Sequence, residues 1–88
     1  MQGTLQIMDR TGHKTLTWDT EVKTRNVDPD LGPVDQSYVD REFDRLVSQG
    51  WLGVSTDPTT HKKEQLRRGE LNVHEHELVT LIPPMQGG

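Results

Sequence analysis

The sequence LVTLI at residues 78–82 is the strongest strand signal in this chain of 88 residues, and PPMQGG at residues 83–88 follows it directly. Its β-branched residues are enriched in strands. Because it is almost entirely apolar, it predicts a strand covered on both faces in the middle of a sheet. Two prolines end it, since proline cannot donate a hydrogen bond to a neighbouring strand. The sequence therefore predicts a domain over residues 1–82 and a flexible tail over residues 83–88.

Two shorter alternating runs open the chain. Leu5 and Ile7 share one face of the first run, and Leu16 and Trp18 share one face of the second. This period of two is typical of half-buried strands. Gly12 lies between the runs and can supply the positive φ that a tight reversal needs. The pattern predicts a β-hairpin.

The apolar period changes over residues 35–49, where apolar side chains recur every three or four residues. That spacing predicts one amphipathic helix. Asp35 is its expected N-cap, and Gly50 can end it in a left-handed conformation. The side chains expected to face the sheet are Val39, Phe43, Leu46 and Val47.

The remaining segments are less regular. Residues 51–54 predict a short strand, with Leu52 and Val54 facing the helix. Residues 61–68 are charged around Leu66 and are expected to be irregular, and the polar residues 19–33 are expected to form the most flexible loop. Together with the helix, the predicted core comprises Leu5, Ile7, Leu16, Trp18, Leu52, Val54, Val79 and Leu81, with Leu66 closing one end.

This order of elements predicts the fold class. A hairpin, a helix, a short strand, an irregular stretch and a last strand follow one another in the order of a β-grasp fold. In that fold the last strand lies beside the first and parallel to it, which explains its apolar composition. We therefore expect an α+β protein with a mixed β-sheet packed on one amphipathic helix.

Composition excludes several classes of function. The formal net charge of −4 argues against nucleic acid as a partner, because binding to phosphates requires a basic surface. The absence of cysteine excludes disulfides, a thiol nucleophile and thiolate metal sites. The chain begins without a signal-peptide pattern and contains no apolar run long enough to span a membrane. We expect a cytoplasmic protein that does not bind membranes.

Two parts of the sequence resemble known families of proteins with a free di-glycine end. The tail PPMQGG is similar to that of the molybdopterin synthase small subunit, a sulfur carrier. The segments DRTG at 9–12, LTWD at 16–19, FDRLV at 43–47 and GWL at 50–52 resemble bacterial ubiquitin-like β-grasp proteins. Operons of that second family also encode activating and conjugating enzymes, and some act in defence against phage.

The resemblance implies chemistry at Gly88 and Gly87. A partner enzyme would use ATP and magnesium to adenylate the carboxylate of Gly88, and the chain would be a substrate or carrier with no catalytic residues and no bound cofactor. Glycines without Cβ atoms suit a narrow channel. The implied partners are an activating enzyme, a conjugating enzyme, a deconjugating protease and a covalent protein target. The residues that would present the reactive end are Pro83, Pro84, Met85 and Gln86.

Three functions remain open at this point. The first is a modifier joined through Gly88 to an amine of a target protein. The second is a sulfur carrier that bears a C-terminal thiocarboxylate for cofactor biosynthesis. The third is a non-covalent protein-binding module whose tail is incidental.

Strand alternation also predicts a partner-binding face. Met8, Trp51 and Ile82 are expected to point away from the helix and to leave an apolar group on the open face of the sheet. The alternative for Trp51, which directly follows the helix, is that it folds over an edge and completes the core.

Two charged or metal-binding motifs have ordinary explanations. The basic residues Lys62, Lys63, Arg67 and Arg68 are expected to be a solvated loop, or else a patch that docks on an acidic enzyme surface. His74 and His76, with His61, have a spacing that could hold zinc or nickel. We expect no metal site, because the histidines lie in a Glu-rich exposed turn and no third ligand is fixed.

Overall fold

The computed structural model describes residues 1–85, which form a mixed β-sheet with one helix packed on one face. The elements in chain order are β1 (Gln2–Asp9), β2 (Gly12–Asp19), a 3₁₀ turn (Pro29–Leu31), α1 (Gln36–Ser48), β3 (Leu52–Thr56), β4 (Lys63–Leu66) and β5 (Leu78–Ile82).

The five strands lie in the order β2-β1-β5-β3-β4. β5 is central, parallel to β1 and antiparallel to β3, while β1 and β2 form an antiparallel hairpin. The predicted hairpin and the predicted position of the last strand are therefore confirmed. The fold is α+β, a mixed sheet packed on one helix, and its strand order is compatible with a β-grasp.

The helix begins and ends where the sequence predicts. The side chain of Asp35 accepts a hydrogen bond from the Ser37 N–H at 2.9 Å, which satisfies a donor that has no partner within the helix. At the other end Gly50 has a φ of 95°, in the left-handed region that favours glycine.

The core lies between the helix and one face of the sheet. The inward residues of β1, β2 and β5 are those expected from alternation, and a core of this kind stabilises by about 25 cal/mol for each Å² of apolar surface removed from water. The buried hydrophobic residues are Leu5, Ile7, Leu16, Trp18, Val34, Val39, Phe43, Leu46, Leu66, Val73, Val79 and Leu81.

The prediction for the face of β3 was wrong. Gly53 and Ser55 point toward the helix, while Leu52 is 41% exposed and Val54 is half-buried on the other face. The cause is the ring of Phe43: a Cβ at position 53 would lie 2.6 Å from its Cε2 atom. Only glycine leaves room for the ring, so the two apolar residues beside it turn outward.

The charged stretch predicted to be irregular contains β4, which pairs with β3 at the edge of the sheet. Lys63, Glu64 and Gln65 are exposed and only Leu66 is buried. An edge strand with a single buried side chain has no alternating pattern, which is why the sequence did not reveal it.

The two long connections are tied to the domain by specific hydrogen bonds. In the loop before α1, the Asn26 side-chain amide donates to the Pro33 carbonyl at 3.1 Å, and the Asp35 N–H donates to the Asn26 carbonyl at 2.7 Å. In the connection before β5, the buried Val73 carbonyl accepts from Trp18 Nε1–H at 2.9 Å. The Trp18 bond joins segments 55 residues apart in sequence, whereas the Asn26 bonds close the loop on itself.

Candidate functional site

The chain leaves the sheet at one end, here called the tail end. It is the end at which β1 and β5 finish and β3 begins, because β5 runs parallel to β1 and antiparallel to β3. The hairpin turn between Asp9 and Gly12 also lies there. The helix ends there too, because only Gln49, Gly50 and Trp51 separate α1 from β3.

The first residues of the tail become exposed step by step. Pro83 is half-buried and Pro84 is exposed, and the ring of Pro84 lies where a Cβ at position 50 would contact it. Met85 is 98% exposed. The remaining tail-presentation residue Gln86 and the reactive pair Gly87 and Gly88 lie outside the described residues.

An apolar row crosses the open face of the sheet at the tail end. Ile82 pairs with Leu52 on β3, and the pairing of Ile7 with Leu81 puts Met8 beside Ile82 on the other side. Ile82 and Leu52 are 42% and 41% exposed, while Met8 is half-buried. With the neighbouring half-buried Val54, these residues form the open-face patch: Met8, Leu52, Val54 and Ile82.

Trp51 does not belong to the open-face patch. It is half-buried and packs against the hydrophobic core, which is the alternative given above for this residue. Its backbone N–H donates to the Leu46 carbonyl at 3.1 Å, so it is fixed to the last turn of α1. Leu52 takes its place on the open face. Gly53 next to it was the signal in the sequence, since a glycine inside a strand often marks a close approach of another group.

The four basic residues do not form one patch. The register pairs Lys63 with Thr56 and Leu66 with Gly53, so β4 separates the two basic pairs along its length. Arg67 and Arg68 follow β4 at the tail end. Lys62 and Lys63 lie at the opposite end, where they line a cleft with acidic residues: Glu64, Glu75 and Glu77.

A small cluster of titratable groups lies where the connection before β5 crosses the helix. Burial raises the pKa of Asp40, the Asp44 carboxylate raises it further, and His74 acts in the opposite direction. Within residues 1–85, the buried Oδ1 atom of Asp40 has no hydrogen-bond partner. Asp44 instead accepts a hydrogen bond from the Gly69 N–H at 2.9 Å and so ties the connection to the helix.

The imidazole of His76 and the backbone of His74 take part in local structure. The Nδ1 atom of His76 accepts a hydrogen bond from the Asn72 N–H at 3.0 Å, which requires this nitrogen to be unprotonated. The His74 N–H donates to the Asn72 side chain at 2.9 Å. Among the residues that the structure describes, no group of three or more His, Asp or Glu side chains could hold a metal ion.

No family model, curated protein or solved structure matches this chain. None of the helices within residues 1–85 has the length and apolar character needed to cross a membrane. The exposed start of the tail and the open-face patch beside it form the candidate site.

Proposed function

We propose that this chain is a ubiquitin-like protein modifier. The carboxylate of Gly88 is adenylated by a cognate activating enzyme and is then transferred through a thioester to an amine of a target protein. The observation that carries this proposal is the course of β5. The strand is bonded on both sides, ends at Ile82 and continues directly into Pro83, Pro84 and the 98% exposed Met85.

The chemistry explains why the chain would need a partner enzyme. A free carboxylate is a poor electrophile, so it first attacks the α-phosphate of ATP, which gives an acyl-adenylate and releases pyrophosphate. A cysteine thiolate of the enzyme then displaces AMP. The enzyme supplies ATP, magnesium and the catalytic residues, whereas this chain supplies the carboxylate and is not itself an enzyme.

The fold supports the proposal because it joins a binding surface to the reactive end. Ile82 is part of the open-face patch and is the last residue before the tail. A partner that covers the patch therefore holds the tail at a high effective concentration near its active site. Leu52 and Ile82 are large enough to fill a pocket on such a partner.

The remaining partners follow from the same proposal. They are a conjugating enzyme, a deconjugating protease and a covalent protein target, in a bacterial system such as one acting against phage. Arg67 and Arg68 would meet an acidic enzyme surface and accelerate encounter. We place the protein in the cytoplasm, where ATP is present, and assign no nucleic acid or membrane to it.

The second candidate function is sulfur carriage. The tail PPMQGG favours it, because this segment resembles that of sulfur carriers more than the front half does. The adenylation step is the same, but a sulfur donor then replaces AMP and leaves a thiocarboxylate at Gly88. The third candidate, a non-covalent binding module, would use the open-face patch without any reaction at the tail.

Deletion of Gly87 and Gly88 tests the proposal. We expect the truncated protein to lose exchange of pyrophosphate into ATP by the cognate enzyme and to keep its melting temperature, because no core side chain is removed. The control is Thr17→Ser, which changes an exposed residue at the end of the sheet opposite the tail and should keep both exchange and melting temperature. Undiminished exchange by the truncated protein would contradict both carrier functions and leave the non-covalent module.

A further inference from the structure

The C-terminal end of α1 forms a Schellman motif. The Gly50 N–H donates to the Val47 carbonyl at 3.0 Å, and the Trp51 N–H donates to the Leu46 carbonyl at 3.1 Å. This pair of bonds satisfies the last carbonyls of the helix and requires a left-handed residue at the turn. Gly50 provides it with a φ of 95°.

Gly50 differs from the other described glycines that have positive φ. A Cβ at position 50 would lie 3.6 Å from Cβ and 4.0 Å from Cγ of Pro84, in van der Waals contact. At Gly12, Gly32 and Gly69 the same test finds no atom within 4 Å. The beginning of the tail therefore lies beside the end of the helix, within reach of a side chain at position 50.

This contact extends the ordered chain beyond the sheet. The strand pairing of β5 ends with Ile82 opposite Leu52, and neither Pro83 nor Pro84 has an N–H that could continue it. The two rings fix φ near −65°, and Pro84 lies beside Gly50 at the end of the helix. Met85, at 98% exposure, is the first residue without such support.

We propose that Gly50 is a positioning residue for the C-terminal tail. Its backbone forms a seat for Pro84, and this seat sets the direction in which the chain leaves the domain. The importance of this direction for activation rests on the proposed function, but the position of Pro84 beside Gly50 does not. A tail that starts in a fixed direction loses less conformational entropy when an enzyme binds it.

The first experiment uses NMR on the intact chain to measure how close Pro84 lies to Gly50. We expect a nuclear Overhauser effect between the Gly50 α-protons and the Pro84 ring protons. Prolines have no N–H, so Met85 gives the first amide signal of the tail. Its order parameter should fall toward the flexible range, below about 0.6, in Pro84→Gly. The control Pro58→Gly changes an exposed proline in a turn at the opposite end and should leave Met85 unchanged.

The NMR result decides the proposal in either direction. The Overhauser effect together with a loss of order at Met85 in Pro84→Gly supports the seat. Absence of the effect, or a Met85 order parameter that Pro84→Gly does not change, overturns it.

The second experiment measures the consequence for activation. Gly50→Leu keeps the stiff prolines but puts a side chain next to Pro84, and Gly32→Leu puts the same side chain on another glycine of positive φ, where no atom lies nearby. We expect Gly50→Leu to raise the KM of the activating enzyme about tenfold at unchanged kcat, the factor that corresponds to fixing the backbone of one more residue on binding. Gly32→Leu should leave both constants unchanged. Pro84→Gly provides the same comparison if Gly50→Leu does not fold.

The two experiments distinguish a wrong positioning role of Gly50 from a wrong proposed function. Equal KM values for Gly50→Leu and Gly32→Leu would overturn a role of the seat in activation. If even the wild-type chain is not adenylated, the proposed function fails, while the NMR result still decides whether Pro84 is seated on Gly50.

Discussion

The ring of Phe43 lies directly against the backbone of Gly53. A Cβ at position 53 would be 2.6 Å from Cε2 and 2.8 Å from Cζ of the ring, and 2.9 Å from the Leu66 carbonyl oxygen. This contact decides which face of β3 meets the helix. It thereby puts Leu52 on the open face, beside Ile82.

The first prediction is that Gly53→Ala destabilises the protein by about 1 to 3 kcal/mol, as is typical of overpacking a dense core. The measurement is chemical denaturation. In a Phe43→Leu background the same substitution should cost less, because the ring that the new methyl group meets is gone. An equal cost in both backgrounds would show that Phe43 does not set the face of β3.

Much of the fold could be predicted from the sequence because its apolar periods are clear. Leu5 and Ile7 alternate, the helix repeats every three or four residues, and β5 is almost entirely apolar. β4 could not be predicted, because only Leu66 of its four residues is buried.

The candidate site could be predicted only in part. Met8 and Ile82 follow from alternation in strands with a clear pattern. Leu52 was wrongly predicted to face the helix. Its alternation with Val54 is compatible with either face of the sheet, and the choice depends on Phe43 in a different element. The proximity of Pro84 to Gly50 links residues that no local pattern connects.

The second prediction separates the open-face patch from the core at the tail end. Ile82→Thr keeps a β-branched residue in β5 but removes exposed apolar surface, so it should weaken binding to the activating enzyme by about 1 to 2 kcal/mol with little change in melting temperature. Trp51→Ala should instead lower the free energy of unfolding by about 2 kcal/mol, because its ring packs against the core.

Binding titrations and thermal melts of both variants check this division. The matched control for Ile82→Thr is Thr17→Ser, an exposed change on the distant end of the edge strand β2. Unchanged stability of Trp51→Ala together with a loss of affinity would return Trp51 to the partner-binding face.

The third prediction concerns pH. Burial and the neighbouring Asp44 raise the pKa of Asp40 in the folded state. Between its unfolded and folded pKa values, Asp40 therefore binds more protons folded than unfolded, and stability falls as the pH rises through this window. Asp40→Asn should raise the free energy of unfolding by about 0.5 kcal/mol at about pH 7, the size of a like-charge pair one helical turn apart.

The gain of Asp40→Asn should shrink at about pH 3, where the wild-type carboxyl is largely protonated. The control Asp30→Asn makes the same charge change on an exposed residue of the 3₁₀ turn. Denaturation at both pH values measures the difference, and a gain from Asp40→Asn that is equal at the two pH values would refute this assignment.

If the carboxylate of Gly88 is activated and joined to a protein, a tryptic digest should contain a specific branched peptide. Arg68 is the last Lys or Arg of the chain, so trypsin leaves residues 69–88 uncut. The predicted product is a target lysine that carries GELNVHEHELVTLIPPMQGG through an isopeptide bond and resists cleavage at that lysine.

The decisive measurement is mass spectrometry of branched peptides and of the intact protein from cells in which the chain and its partner enzymes are native. We expect the branched peptide, and its absence from cells that express Gly88-deleted protein is the control. An intact chain heavier by the difference between one sulfur and one oxygen atom, with no branched peptide, would replace the modifier with the sulfur carrier. Finding neither species while the protein still supports its cellular phenotype would contradict activation of Gly88.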